Sequence, residues 1–400
     1  MSEIKKLIER LCPDGVEYKK LGELEKQQLI QLGRGNVISK KDIRDYPGDY
    51  PVYSSSSVGD GEIGRYGKYM FDDERISWSI DGGGKFFYRN NIKYSITNVS
   101  GWLKVLAPLT INTKYLYYSL MNEWSHKVYD YIHKAHPSVI RDEYTIPVPP
   151  IDVQSKIVEI LDNFTELEAE LEAELEARRK QYEYYRNQLL TFDKDKGARF
   201  DVKWMKMSDI GTFTRGKRFV RTDIVEDGVP CIHYGDMYTY YGLKADKAKT
   251  HLTPEKAQKM RFAKKNDVVI VGAGENKNDI GVGVAWLGEE DVAVHDACYI
   301  FSSDLYPQYV SHFLRTESYH KQIYPLVAEG KICSISAQSI GRAIIPIPPL
   351  EEQKRIVSIL DRFEALTTDL QSGLPAEIEA RRKQYEYYRE KLLTFKRKTA

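Results

Sequence analysis

The sequence predicts an α+β protein: two globular domains separated by two long helical regions that pair with each other as an antiparallel coiled coil. Three observations predict it. At 400 residues the chain is too long for one ordinary core. It is internally duplicated. IPVPPIDVQSKIVEILD at 146–162 returns as IPIPPLEEQKRIVSILD at 345–361, and ARRKQYEYYRNQLLTF at 177–192 returns as ARRKQYEYYREKLLTF at 380–395. The regions preceding the repeats, about 25–145 and 211–344, show little mutual likeness. Matched helices carrying unlike globular regions imply a shared task for the helices and a different task for each globular region. A duplicated enzyme would keep its chemistry instead.

Residues 1–24 form a lead-in. MSEIKKLIERLCPDG has no apolar core of a signal peptide. It predicts a short amphipathic helix with Ile4, Leu7, Ile8 and Leu11 on one face, stopped by Pro13-Asp14-Gly15. Residues 25–150 form the first globular domain and 197–349 the second. A weak echo, VEYKKLGEL at 16–24 and VKWMKMSDI at 202–210, precedes each. Strand-like runs such as DVVIV, GVGVAWL and ACYIF alternate with short helical stretches such as QYVSHFLRTES, which predicts α+β domains with twisted, partly antiparallel sheets. Strand order does not follow from these runs.

Each domain exits through I-P-x-P-P, which can be neither helix nor central strand because proline fixes φ and lacks a donor. A helix follows each exit, over 151–196 and over 350–400. Asp152 or Ser155 is a cap candidate for the first, and Glu351 lies in the opening turn of the second. The predicted seam is Ile157, Leu161, Phe164, Leu171, Leu175, Tyr182 and Leu189 in the first helix. In the second it is Ile356, Leu360, Phe363, Leu370, Tyr385 and Leu392. Pairing the two repeats buries both seams; packing each helix on its own domain is the alternative. The second copy holds four more residues than the first between its repeated blocks. Gly373 suits a helix C′ position and Pro375 a first turn, so a break is expected there. The tetrads LEAE-LEAE-LEA lie between Leu167 and Ala177. Adding or removing one would move the helix ends by about 6 Å and rotate them by about 40°.

The pattern IPxPPxxxQxxIVxILDxF, the LEAE tetrads, ARRKQYEYYRxxLLTF and the opening LCPDGVEYKKLGEL resemble the specificity subunits of type I restriction-modification systems. The likeness is to the subclass with tandem tetrads in its central spacer. The helical motifs cover about a quarter of the chain, and the duplicated layout extends the resemblance to the whole. It implies two target-recognition domains, each reading one half of a split double-stranded DNA site. It implies helices that set the gap between the halves, with the tetrad count fixing spacer length. Two methylating subunits would dock along the helices, and motor-nuclease subunits would join them. S-adenosylmethionine, ATP and magnesium would belong to those partners, leaving this chain without a cofactor or catalytic centre, in the cytoplasm.

With DNA as the expected ligand, the polar, Gly-rich segments become candidates. In the first domain these are Ser54, Ser55, Ser56, Ser57, Arg65, Lys68, Lys85 and Arg89. Hydroxyls and cations hold phosphates, and Arg or Asn reads base edges. In the second domain TRGKRFVRTD gathers Arg215, Lys217, Arg218 and Arg221, the densest basic patch. Asn276, Lys277, Asn278 and Lys331 lie on further loops. Each is equally consistent with an ordinary solvated loop.

Other chemistry is poorly served. The net charge is +1, so any positive field must be local. The four cysteines are scattered, and His133 and His136 lack a ligand partner at metal spacing, so no metal site is expected. VGAGENKNDIGVG lacks G-x-G-x-x-G spacing, DGGGK lacks the Walker pattern, and no G-x-S-x-G or H-E-x-x-H occurs. The competing class is a duplicated coiled-coil adaptor that binds proteins instead of DNA.

Overall fold

The computed structural model describes residues 2–55, 59–129, 133–192, 202–369 and 372–398. It divides into two compact units, one of residues 1–171 with 378–400, the other of residues 172–377. The first unit therefore joins the opening stretch of the sequence to its last stretch.

In the first unit the opening helix Ser2–Leu11 buries Ile4 against Val153, Ile157 and Leu161 of the central helix and Leu392 and Leu393 near the C-terminus. Val16 bridges to Arg397, and the Tyr18 hydroxyl donates to the carbonyl of Phe395 and accepts from its amide. The globular part has a four-stranded antiparallel sheet in the order Ile30–Arg34, Ser100–Val105, Arg75–Ser79, Phe86–Arg89. A second sheet orders Glu62–Tyr66, Tyr50–Tyr53, Ser95–Ile96, the last two strands parallel. Strand alternation puts Leu103 and Val105 inward, where they join Trp78, Phe86 and Leu116 in the core.

The second unit has a five-stranded sheet in the order Gly211–Arg215, Cys298–Ser303, Val268–Val271, Gly283–Trp286, Lys244–Ala245. Its run Val268–Val271 is buried at every residue, as a central strand covered on both faces requires. The strand-like runs DVVIV, GVGVAWL and ACYIF prove to be neighbours in this one sheet. The first four strands repeat the antiparallel topology of the first domain. A second sheet again contains a parallel pair, Val229–Ile232 with Val292–Val294. Two sequences with little likeness thus build the same frame.

Each proline-rich exit is an edge strand of a two-stranded ribbon. Thr145–Pro147 pairs antiparallel with Tyr18–Lys20, and Ile344–Ile347 with Lys203–Lys206. The weak sequence echo is thereby explained: it is the partner of its own domain's exit. Proline is tolerated because a two-stranded ribbon leaves half its donors unused.

The central helix runs unbroken over Ile151–Thr191, 41 residues or about 60 Å. Neither expected cap holds its start: Asp152 is inside the first turn and Ser155 beyond it, and the amides of Val153 and Gln154 reach the Pro150 carbonyl. The C-terminal region breaks where expected, into Leu350–Thr368 and Leu374–Leu393. Gly373 is not the C′ residue, however. The helix caps at Asp369, and Gly373 packs back on it so closely that a Cβ would lie 2.6 Å from the Ala365 carbonyl oxygen.

The repeats pair antiparallel within the first unit. Phe164 stacks on Tyr388, and one turn further on Glu168 meets Arg382, earlier in the C-terminal helix. Within the second unit Tyr185 stacks on Phe363. The early seam residues do double duty: Ile157 and Leu161 also pack on Tyr115 and Tyr118 of the domain's own helix Thr113–Trp124. Ile356 and Leu360 share a cluster with Tyr309 of the helix Pro307–Phe313. Leu171 and Leu175 are half-exposed, Leu190 is more deeply buried than Leu189, and Leu370 lies outside the described residues.

Candidate nucleic-acid interface

Each domain is bolted to its following helix by residues of the repeated motif. Gln154 donates to the carbonyls of Pro149 and Thr110 and accepts from the Asn112 amide at the start of Thr113–Trp124. Gln353 does the same in the second domain, donating to the Pro348 carbonyl and accepting from the Tyr306 amide. Farther along, Asp162 accepts from the Tyr118 hydroxyl at 2.6 Å and from Lys114 at 2.8 Å. Asp361 takes His312 Nε2 at 3.1 Å and Lys244 Nζ at 2.5 Å. Burial opposes ionisation of Asp361, but its hydrogen bonds to His312 and Lys244 prevail and hold its carboxyl below the usual range. These four residues were missed as functional positions, although the signal was present: Q and D recur at matching places in I-P-x-P-P-x-x-x-Q and I-L-D.

Strand direction places several loops at one end of each domain. In the first, Arg34, Ser79 and Gly101 lie together at the ends of adjacent strands, and Tyr53 arrives beside Ile96. The loops beginning at Gly35, Ser54 and Ile80 therefore converge there. In the second, Arg215, Val271 and Ile232 end their strands where Cys298 begins its own, so the segments around 216, 233 and 272 converge likewise. The long polar hairpin loops IDGGGK and GAGENKNDIG occupy equivalent places in the two frames. Converging flexible loops on a rigid sheet are where ligand contacts concentrate.

The candidate residues divide on this geometry. Ser54 bonds Thr97, and Ser55 bonds Ser79, the Val99 carbonyl and the Asp81 amide, so both hydroxyls tie loops together at the convergent end. Ser56 and Ser57 lie outside the described residues. Lys85 is half-buried on the same hairpin, 5.5 Å from the Phe87 ring. Arg65 and Lys68 are exposed but lie toward the opposite end: Arg65 faces Pro51 and bonds Glu62, and Lys68 sits over Tyr46. Arg89 is corrected to an interior role. It is only 7% exposed, lies 3.5 Å over the Tyr53 ring and donates to Ser77 and the Asp60 carbonyl. Gly84 is also internal, because Tyr129 fills the space a Cβ would need.

In the second domain Lys217 and Arg218 are exposed and border one shallow hollow with Lys256 and Lys259. Arg221 and Asn276 line a groove of about 670 Å³ together with His233, Tyr234 and Lys249. The Asn276 side chain accepts from the Asn278 amide and shapes the loop tip, while Asn278 itself is exposed. Lys277 pairs with Glu329 on the neighbouring turn that carries exposed Lys331. His233 and His295 lie 5.0 Å apart beside this groove, and burial lowers the pKa of each, so both are neutral near pH 7.

A profile of the type I restriction modification DNA specificity domain matches this sequence twice, over residues 13–177 and 201–380. The chain belongs to that family. Relatives extend along most of it. The specificity subunit of the Escherichia coli type I restriction enzyme EcoR124I/EcoR124II is 32% identical over 301 residues, covering 70% of each chain. A Haemophilus influenzae protein provisionally assigned as a type I restriction enzyme specificity subunit is 31% identical over 412 residues, covering 95% of this chain and 96% of its own. In fold, the chain resembles the type I restriction-modification S subunit from M. genitalium, with a TM-score of 0.51 and 16% identity over 95% of this chain and 96% of that one. It also resembles a chain from a study of complex assembly and conformational transition in the type I system. There the TM-score is 0.58 and the identity 14%, over 95% of this chain and 97% of that one.

Within this specificity-family chain one constellation mimics catalytic machinery. Tyr182, His312 and Asp361 form a hydroxyl–imidazole–carboxylate relay. The His312 side chain is completely buried, and burial pushes the Tyr182 hydroxyl up to about 12 rather than activating it. The relay belongs to the bolt between domain and helix. Among the described residues no cluster of metal-ligating side chains occurs, and no helix is long and apolar enough to cross a membrane.

Proposed function

We propose that this chain is the non-catalytic DNA-reading subunit of a type I restriction-modification complex, each globular domain contacting one half of a bipartite duplex site. The observation that carries the reading is the duplication itself: one frame built twice, with unlike loops at the convergent end and helices carrying the same repeated motifs behind. The frame serves what both halves share, and the loops serve what must differ. The helices set the gap between half-sites. They also offer two equivalent docking faces for two methylating subunits, which motor-nuclease subunits then join. Tyr184 and Tyr387, at the same place in ARRKQYEYYR, are 59% and 57% exposed and support such paired faces. S-adenosylmethionine, ATP and magnesium would be held by those partners, in the cytoplasm.

Sequencing the methylated sites produced by the assembled complex tests this. A bipartite motif is expected. Replacing residues 25–145 with those of a relative should change one half alone. Triple alanine replacement of Arg215, Lys217 and Arg218 should weaken binding and flatten its salt dependence. An undivided motif, or partner binding with no effect on DNA, would favour the adaptor reading instead.

A further inference from the structure

Both domains contain an Arg-Gly pair at the end of their first sheet strand, Arg34-Gly35 and Arg215-Gly216. The surrounding sequences, LGRGNVISKKDI and FTRGKRFVRTDI, share beyond this pair only a later Asp-Ile, yet the main-chain contacts that hold the pair are the same in both domains. Arg34 Nε donates to the Asn98 carbonyl, and Arg215 Nε donates to the Asp296 carbonyl at 2.8 Å. The Gly35 amide donates to the Ser100 carbonyl, and the Gly216 amide to that of Cys298. A Cβ on Gly35 would lie 2.3 Å from the Thr97 carbonyl oxygen, and one on Gly216 would lie 2.2 Å from that of His295. Only glycine fits, so the backbone beneath each arginine is fixed by main-chain carbonyls of the turns at 97–98 and 295–296, whatever side chains those turns carry.

The guanidinium groups are fixed but unspent. With Nε committed to a carbonyl, both terminal nitrogens remain. Arg34 makes no ion pair among the described residues, and Arg215 has only a 3.9 Å approach to Asp296, with its side chain 60% exposed. Both sit at the convergent end of the domain.

We infer that Arg34 and Arg215 are corresponding phosphate contacts, a sequence-independent anchor that each domain uses to seat its half-site. This rests on the DNA-reading function proposed above and specifies how that reading is divided. Two domains that read different bases have no common base contact to keep, but they share the phosphate backbone. A rigid cation, held identically in both, suits the feature that does not vary. Base discrimination then falls to the unlike hairpin loops.

The test uses the complex assembled with its methylating subunits and a duplex carrying the wild-type motif. Arg34→Gln and Arg215→Gln remove the charge; Arg34→Lys and Arg215→Lys retain it. Each Gln variant is expected to lower the slope of log affinity against log salt by about 0.9, and the double variant by about twice that. Each Lys variant should keep the slope near wild type, and the methylated motif should be unchanged in both halves throughout. Thermal unfolding of each Gln and Lys pair controls for loss of the carbonyl contact, which a purely structural role would register equally in both. A Gln variant with an unchanged salt slope overturns the assignment. So does an altered base preference in one half-site, which would make that arginine a base reader. A wild-type complex without any bipartite motif would overturn the DNA-reading function itself.

Discussion

Replacing Asp361 with alanine should unfold the second unit early, by an amount set by one buried imidazole. The His312 side chain has no solvent exposure. Its Nε2 lies 3.1 Å from the Asp361 carboxylate, which can only accept, so Nε2 carries the proton and Nδ1, 3.2 Å away, accepts from the Tyr182 hydroxyl. Alanine would strand that N–H away from water, at about 1–3 kcal/mol. The other partner, Lys244, is 40% exposed and can return to solvent, so its loss adds no more than about 1 kcal/mol. A total near 2 kcal/mol lowers the melting temperature of a unit of roughly 200 residues by about 4–8 °C. Asp361→Asn retains an acceptor oxygen and should cost less than half as much. Calorimetry or urea unfolding of the two variants, with Tyr182→Phe and the Tyr182/Asp361 double variant, measures the coupling along the relay. If Asp361→Ala unfolds within about 0.3 kcal/mol of wild type, or Asn is as damaging as Ala, the bolt is not what holds this helix to its domain.

Deleting one tetrad, Leu171 to Glu174, shortens the central helix by about 6 Å. The methylated motif should change in spacer length only, and altered half-site bases would count against a spacing role. Burial holds His233, His295, His312 and His320 below the ordinary imidazole value, His320 at about 4. The unfolded chain therefore binds protons near pH 6.5 that the folded unit refuses. The stability they contribute is complete above that pH and is lost as the pH falls toward the folded values, with a slope of up to about 1.4 kcal/mol per pH unit for each histidine; flat urea midpoints between pH 7 and pH 5 would refute this. Tyr184→Ala and Tyr387→Ala should each weaken binding of one methylating subunit and leave melting within about 0.5 kcal/mol. Native mass spectrometry of the assembled complex counts the bound subunits, and full occupancy in both variants would remove these tyrosines from the docking face.

The helical architecture was legible because the proline exits and helix motifs are repeated nearly residue by residue, and the break falls at the Gly373 and Pro375 signals that the second copy alone carries. Strand order was not, because loops between strands carry no register, and the shared frame emerges only from pairing. Among candidate contacts, burial was the hidden variable. Arg89 looks like a surface cation in FFYRNN, but strand pairing turns it inward over Tyr53. Ser54 and Ser55 look like phosphate ligands and instead bond their own loops. Arg34 is not legible as a contact because it stands alone, outside any dense basic patch. Its correspondence with Arg215 shows only when LGRGN is laid on FTRGK, an alignment that the strand register justifies.

The first unit draws its helical seam from two widely separated stretches of the sequence, whereas the second is one uninterrupted stretch. During synthesis the first domain leaves the ribosome with Ile4, Ile157 and Leu161 still short of Leu392 and Leu393. It must wait for nearly the whole remaining chain before that surface is covered. The part translated later is thus the part able to finish first. A premature stop shortly before Ile378 would injure the first unit and leave the second complete.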